Sequence, residues 1–361
     1  MSKSLRVLQI IDTLNAGGAE RMAVQIANGL VDKTGFSGLC CTREEGVLKD
    51  SLSHKVNYLF AKKNKIIDFS ALKTVLRFCK KNEITILHAH STSYIFAIQL
   101  KILKPSLKIV WHDHFGNSEF LEERNSFLPS LVSVFYSGII SVNKSLEAWA
   151  KHNLNCKKVE CINNFYSKDK CNSANVVKLK GCDEKRIVAL ANLRPQKDHG
   201  FLLNSFALVV KEFPDWTLHL LGSYNESSDY FNSLKILITS SGLENNVFIY
   251  GSVTCVQEVL KQADIGVLSS KSEGLPLALI EYGMAGLPVI TTNVGQCKDV
   301  VDQDGLVINH GDVNNFAKAF KTLIKDIDLR KQLANTYYTK INKHYTANIS
   351  LTKICDFYIT H

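Results

Sequence analysis

The chain has 361 residues, 45% apolar and 21% charged, with six prolines; this exceeds one ordinary core and suits two globular domains without a long disordered tract. No apolar run approaches the roughly 18–20 residues of a membrane-spanning helix. The net charge of +9 is one-sided, because residues 1–168 hold 23 Lys and Arg against 14 Asp and Glu, while residues 169–361 hold 20 of each.

The opening apolar run ends at Asp12 and lacks the core and cleavage site of a secretion signal, so it reads as a first strand in a cytoplasmic protein. From there, short apolar runs alternate with amphipathic stretches. Strands are predicted at 5–11, 38–41, 57–60, 84–88, 108–111 and 138–142, and helices at 20–30, 70–80, 93–103 and 145–152. The polar stretch 166–185 interrupts the pattern. A second alternation follows, with strands at 186–191, 217–221, 247–250, 265–268 and 288–291 and helices at 199–211, 230–240, 256–262, 277–285 and 313–325. Residues 349–359 carry apolar positions at helical spacing.

Such alternation builds parallel sheets covered by helices on both faces. The expected fold is α/β, with two Rossmann-like domains facing across a cleft. Residues 1–168 form the first domain, 169–185 the linker and 186–345 the second, with a helix in 346–361 returning to the first. Ligands in such sheets bind beyond the carboxyl ends of the strands.

The basic excess includes Lys62, Lys63, Lys65, Lys80, Lys81, Lys101, Lys104 and Lys108. It fits an anionic partner, such as a lipid leaflet or a phosphate-bearing acceptor, and equally a solvated lysine face. No nucleic-acid motif interleaves with it, so nucleic acid is not an expected partner. Ten cysteines are scattered without a Cys-x-x-Cys pair, which reads as reduced thiols with no metal site.

Four motifs carry chemistry. In Ser272-Glu-Gly-Leu-Pro-Leu-Ala-Leu-Ile-Glu, Glu273 and Glu281 are eight apart. Pro276 stands at a helix start, so the amides of Gly274, Leu275 and Leu277 make an anion site. Glu281, a turn inside, is placed to accept from two ribose hydroxyls; alone, the two glutamates would read as a first-turn acid and a surface residue. Asn192-Leu-Arg-Pro-Gln-Lys-Asp follows a strand, and Arg194 and Lys197 can grip a diphosphate there, with Asp198 as the next helix cap. Gly17 and Gly18 after the first strand allow close backbone approach to a ligand, as would a plain tight turn. His112 and His114 alternate at the end of one strand, and His88-Ala-His90 ends another. Zinc among these four is conceivable, but polar strand ends at a cleft explain them more simply. Asp302-Gln-Asp304 and Asp326-Ile-Asp328 resemble metal-holding triplets, yet neither follows a convincing buried strand.

Taken together these motifs resemble the retaining GT-B glycosyltransferases of family GT4, over nearly the whole chain. The resemblance implies a nucleotide-diphosphate-sugar donor, UDP-linked or GDP-linked, with no cofactor and no metal. The basic first half and the lack of a secretion signal, rather than the resemblance, lead to the expectation of a saccharide or lipid-linked saccharide acceptor of capsule, O-antigen or exopolysaccharide synthesis, reached from the inner face of the cell membrane. The resemblance further implies that Arg194 and Lys197 bind the diphosphate, that Glu281 binds the ribose, and that Glu273 and His112 meet the sugar. Gly17 and Gly18 would close over the phosphates. Lys197, Glu273 and His112 are thus the expected catalytic residues, in a front-face mechanism with no carboxylate nucleophile. Two departures from the family pattern are Leu221-Gly-Ser-Tyr and Asp299, the latter four residues after a retained Gly295. A nucleotide-sugar epimerase and a non-catalytic subunit are the alternatives on the same scaffold.

Overall fold

A computed structural model describes residues 5–167 and 176–360; residues 169–175 of the predicted linker lie outside the described residues. The chain divides into two compact units, the second running from the linker to Thr346 and the first taking the rest, including the segment from Ala347 onward.

The first unit runs β1 (Arg6–Thr13), α1 (Gly18–Leu30), β2 (Phe36–Glu44), β3 (Asn57–Phe60), α2 (Phe69–Lys81), β4 (Ile86–His90), α3 (Tyr94–Leu103), β5 (Lys108–Asp113), α4 (Phe127–Val132), β6 (Gly138–Ser141), α5 (Lys144–Asn153) and β7 (Val159–Cys161). The second runs β8 (Arg186–Leu190), α6 (His199–Val210), β9 (Thr217–Leu221), α7 (Asp229–Ser240), β10 (Val247–Gly251), α8 (Val256–Leu260), β11 (Ile265–Leu268), α9 (Leu277–Ala285), β12 (Val289–Thr292), α10 (Cys297–Val301), β13 (Leu306–Ile308), α11 (Val313–Lys325) and α12 (Ile327–His344). The last helix, α13 (Ala347–Ile359), belongs to the first unit.

Both sheets are parallel, in the orders β3-β2-β1-β4-β5-β6-β7 and β10-β9-β8-β11-β12-β13. Strand order therefore reverses between β1 and β4 in one unit and between β8 and β11 in the other. Those are the crevices where doubly wound sheets take ligands. Val7, Leu8, Ile10 and Ile11 are all buried, the unbroken apolar run of a strand covered on both faces. Helix starts follow cap chemistry: Asp68 accepts from the Ala71 amide before α2, and Asn143 from the Leu146 amide before α5. α13 is seated by glycines. A Cβ on Gly29 would meet Leu351 at 2.3 Å, and one on Gly138 would meet Phe357 at 2.5 Å.

Each predicted strand and helix is present, with ends moved by a few residues. The strand predicted at 84–88 is found at Ile86–His90, because His90 stays in the ladder opposite His112. The pattern did not single out β7, β13, α4, α10 and α12. Residues 177–181 do not hang free: Gln262 bonds both Val177 and Leu179, and Arg186 bonds Lys180 and Gly181. Cys255 is disulfide-bonded, which corrects the expectation of reduced thiols throughout. Among the described residues no helix is long and apolar enough to cross a membrane.

Candidate functional site

In the second unit the loops after β8 and β11, which flank the crevice, are sewn together. The Gln196 side chain donates to the Ser272 carbonyl at 2.9 Å, the Lys271 amide to the Gln196 carbonyl at 2.8 Å, and the Ser269 hydroxyl to the Lys197 carbonyl at 2.9 Å. This frame brings Lys197 Nζ to 2.5 Å from Glu273 Oε1, 76 residues apart in sequence. The Ser270 hydroxyl donates to the same oxygen at 2.5 Å. Glu273 is buried, so its charge is held by partners rather than water. Arg194 lies exposed at the start of the same loop. Asp198 caps α6 in the left-handed region (φ 44°) and also accepts from His310 at 2.8 Å, which accounts for it structurally.

Glu281 is only 6% exposed, unlike the surface acid that a lone glutamate at that spacing would suggest. α9, which carries it, is locked in place. The Tyr282 hydroxyl donates to the Val267 carbonyl at 3.0 Å and accepts the Leu190 amide at 2.6 Å. The Tyr337 hydroxyl of α12 donates to the Leu279 carbonyl at 2.9 Å. Gly283 lets α12 come close, since a Cβ there would stand 2.4 Å from Ile341 Cγ1. Gly274, Leu275 and Pro276 are buried beside Glu273. Pro276 has extended backbone and precedes the helix rather than opening its first turn.

One contact had no strong signal in the sequence. Gly295 has φ +50°, and a Cβ there would fall 1.9 Å from the Glu273 carbonyl oxygen. The next amide, of Gln296, donates to the Gly274 carbonyl at 3.2 Å. The loop after β12 thus lies directly on the backbone that carries Glu273.

In the first unit, Gly17 is the cap residue of α1 and Gly18 its first residue. Glu20 occupies the space beside them, since a Cβ on Gly17 would sit 2.1 Å from a Glu20 carboxylate oxygen. One crevice wall away, at the ends of β4 and β5, the four imidazoles stack. His112 and His114 have ring centroids 4.0 Å apart, and His88 and His90 4.6 Å. His88 Nε2 lies 3.1 Å from His112 Nδ1, and His90 Nδ1 2.9 Å from His114 Nε2. Burial holds all four well below the usual histidine range, with His114 at about 3, so the rings are neutral. His112 Nε2 is buried without a partner. Asp113, between two of the histidines, forms a fork with Arg124 at 2.7 and 3.0 Å and so anchors the following loop.

Nitrogens of His88, His90 and His112 lie within 4.8 Å of one another. The His88 ring is 8° from the plane of His90 and 22° from that of His112. Both nitrogens of His88 and both of His90 already face Tyr358, His112, His114 or Gln9 at hydrogen-bond distance, which takes up the lone pairs a shared ion would need. Asp302 and Asp304 are both approached by Lys340, at 3.5 and 3.8 Å, and Asp326 caps α12. Structural partners thus account for three of the four triplet carboxylates.

Each unit therefore presents its predicted residues at the reversal of its own sheet. The second offers an ion pair, an exposed arginine and two buried carboxylates; the first offers a glycine turn and an orphan imidazole nitrogen. Such groups suit a ligand that carries both phosphate and hydroxyls.

Residues 16–170 match the family described as Glycosyltransferase Family 4, and residues 184–326 that described as Glycosyl transferases group 1. The chain is 25% identical to the capsular polysaccharide biosynthesis glycosyltransferase CapH of Staphylococcus aureus, over 82% of this chain and 83% of that one. It is 24% identical to the Escherichia coli UDP-Gal:alpha-D-GlcNAc-diphosphoundecaprenol alpha-1,3-galactosyltransferase, over 95% and 93%. Among solved structures, Anabaena HepE in complex with UDP and glucose superposes with a TM-score of 0.81, at 16% identity, over 99% of this chain and all of that one. The shared fold is GT-B.

Proposed function

The chain belongs to the glycosyltransferases of family 4 and group 1, and from that membership we propose a retaining, metal-independent transferase of cell-surface polysaccharide assembly. It moves a sugar from a nucleotide-diphosphate donor, UDP-linked before GDP-linked, to a saccharide or lipid-linked saccharide acceptor. The names of the capsular and diphosphoundecaprenol relatives support the acceptor class, and the UDP and glucose held by HepE support the donor.

The observation that carries this reading is the Lys197–Glu273 pair at the sheet reversal, with buried Glu281 on the adjoining helix. Departure of a nucleoside diphosphate places negative charge on its oxygens. Lys197 and Arg194 stabilise that charge as it develops, without reorganising. Lys197 and Ser270 both bond Glu273 through Oε1, which leaves Oε2 as the acceptor for sugar hydroxyls. Glu281 accepts from the ribose, and the Gly17–Gly18 turn allows close backbone approach to a phosphate. Both glutamates have binding tasks here, so the acceptor proton passes to the leaving diphosphate on the same face of the sugar. Geometry of this kind retains the anomeric configuration.

Calorimetric titration with UDP, GDP, ADP and CMP tests the donor site. One nucleotide should bind, and Glu281→Ala should weaken it by roughly 10- to 100-fold, the loss of hydrogen bonds to a charged acceptor. No binding to any of them by folded protein would overturn the reading and favour a non-catalytic subunit.

We further propose that the protein works in the cytoplasm, on the inner face of the membrane. Residues 51–112 hold eleven Lys and Arg against two acids, the whole basic excess of the chain. Apolar side chains protrude among them, with Ile66 70% and Phe69 76% exposed. The Gln99 side chain bonds the Ile66 carbonyl at 3.1 Å, one turn before the exposed Ile102 and Leu103. Phe127, Leu131 and Val134 are similarly exposed at and just after α4. Basic and apolar groups together suit an anionic leaflet. Vesicles with phosphatidylglycerol should recruit the protein at low salt, and Phe69→Ser with Phe127→Ser should abolish it. Failure of recruitment, or equal binding to neutral vesicles, would remove this proposal.

A further inference from the structure

The histidine stack connects to the far end of the chain. On α13, the Tyr358 hydroxyl lies 2.5 Å from His88 Nδ1, 270 residues away in sequence. His88 Nε2 faces His112 Nδ1 at 3.1 Å, and His112 Nε2 is buried with no partner. These groups all lie within the first unit. Tyr358 is 3% exposed, and His88 and His112 are 1% or less, so water does not scramble the bonds between them.

Because the rings are neutral, each carries one proton, and the wiring decides which nitrogen holds it. The buried phenol sets the direction. Among the described residues its oxygen has one hydrogen-bond contact, His88 Nδ1, so a phenol proton turned elsewhere would be buried unpaired. The phenol proton then has one acceptor, His88 Nδ1. His88 must carry its own proton on Nε2 and donate it to His112 Nδ1. His112 is left with its proton on Nε2, the atom without a partner. A buried donor left unpaired is costly, and a binding or catalytic role is one reason a structure keeps it.

We propose that Tyr358 is a positioning residue that fixes the tautomer of His112 through His88, so that His112 Nε2–H is a preset hydrogen-bond donor to the donor sugar. The final clause rests on the transferase reading above; the wiring does not. The device resembles the second residue of a hydrolytic triad in logic, in that a group away from the chemistry decides which face of an imidazole is acid. Here that group arrives on the C-terminal helix.

Protein labelled with ¹⁵N in histidine decides the matter without any ligand. Nitrogen shifts separate protonated from bare ring nitrogens, and His88→Gln and His112→Gln assign the signals by their loss. Wild type should show both rings protonated on Nε2. Tyr358→Phe, which keeps the packed ring, should leave His112 mixed between tautomers. It should also lower kcat for sugar transfer by roughly tenfold, the loss of one directed hydrogen bond, with unchanged affinity for the nucleotide alone. A proton on Nδ1 of either ring in wild type overturns the wiring, as does an unaltered His112 spectrum in Tyr358→Phe. If that variant does not fold, the wild-type spectrum still decides. Correct tautomers with wild-type turnover in Tyr358→Phe would leave the wiring standing and overturn the role of His112 at the sugar.

Discussion

Replacing Lys197 by alanine should lower kcat by about 10²- to 10³-fold, the usual cost of removing one preorganised group that meets charge in the transition state. Lys197 reaches Glu273 at 2.5 Å across the crevice between β8 and β11. Its backbone is fixed by Ser269, so the ammonium is placed before any ligand arrives. Arg194 is exposed on the same loop and gives a leaving diphosphate a second cation, which is why activity should fall rather than vanish. Nucleotide affinity should change less than turnover, because the ribose contact through Glu281 is untouched. The comparison is made on both quantities, with wild type run in parallel in excess chelator. An unchanged wild-type rate there supports metal independence; a loss restored by magnesium or manganese would overturn it.

Gly295→Ala should nearly match that loss, by about 10²-fold in kcat, although Gly295 has no side chain to contribute. Two costs coincide at this position. Its φ of +50° is left-handed, which costs an ordinary residue roughly 1–2 kcal/mol. The new Cβ would also stand 1.9 Å from the Glu273 carbonyl oxygen and 3.1 Å from that of Gly274. Both atoms belong to the backbone, so no rotamer relieves the clash. The strand of chain bearing Glu273 must move, and displacement of about 1 Å at a reacting centre is worth some 10²-fold. Gly311→Ala separates the two costs, because Gly311 has φ +88° with nothing within 4 Å of a Cβ. That variant should lose stability and keep turnover. Equal kcat in both variants would show that Gly295 is a turn residue only.

The alternation of strands and helices was open to reading because both sheets are covered on two faces, so their strands are plain apolar runs. α12 was harder to see. Its buried residues Leu333, Tyr337 and Ile341 recur every four positions, but the intervening residues are polar and the two aspartates before them suggested a metal triplet. β7 and β13 are three residues each, too short to show a period. At the site, Glu273, Lys197 and Glu281 stood out by motif. What motif does not contain is pairing across the fold: the Lys197–Glu273 contact depends on which two loops adjoin at the sheet reversal. The histidines were visible as alternating residues, whereas their stacking depends on the register that sets His90 opposite His112. Tyr358 gave no signal at all, since its meaning lies in a partner on β4.

The seating of α13 has a consequence for biosynthesis. Leu351 fills the space over Gly29, Phe357 that over Gly138, and Tyr358 closes on His88. All three follow the whole second unit in the sequence. The first unit therefore waits, with part of its core uncovered, while the second is translated and folds. Chains that stall or are cut shortly before Ala347 should expose that apolar groove to chaperones and proteases, even though the second unit is already whole.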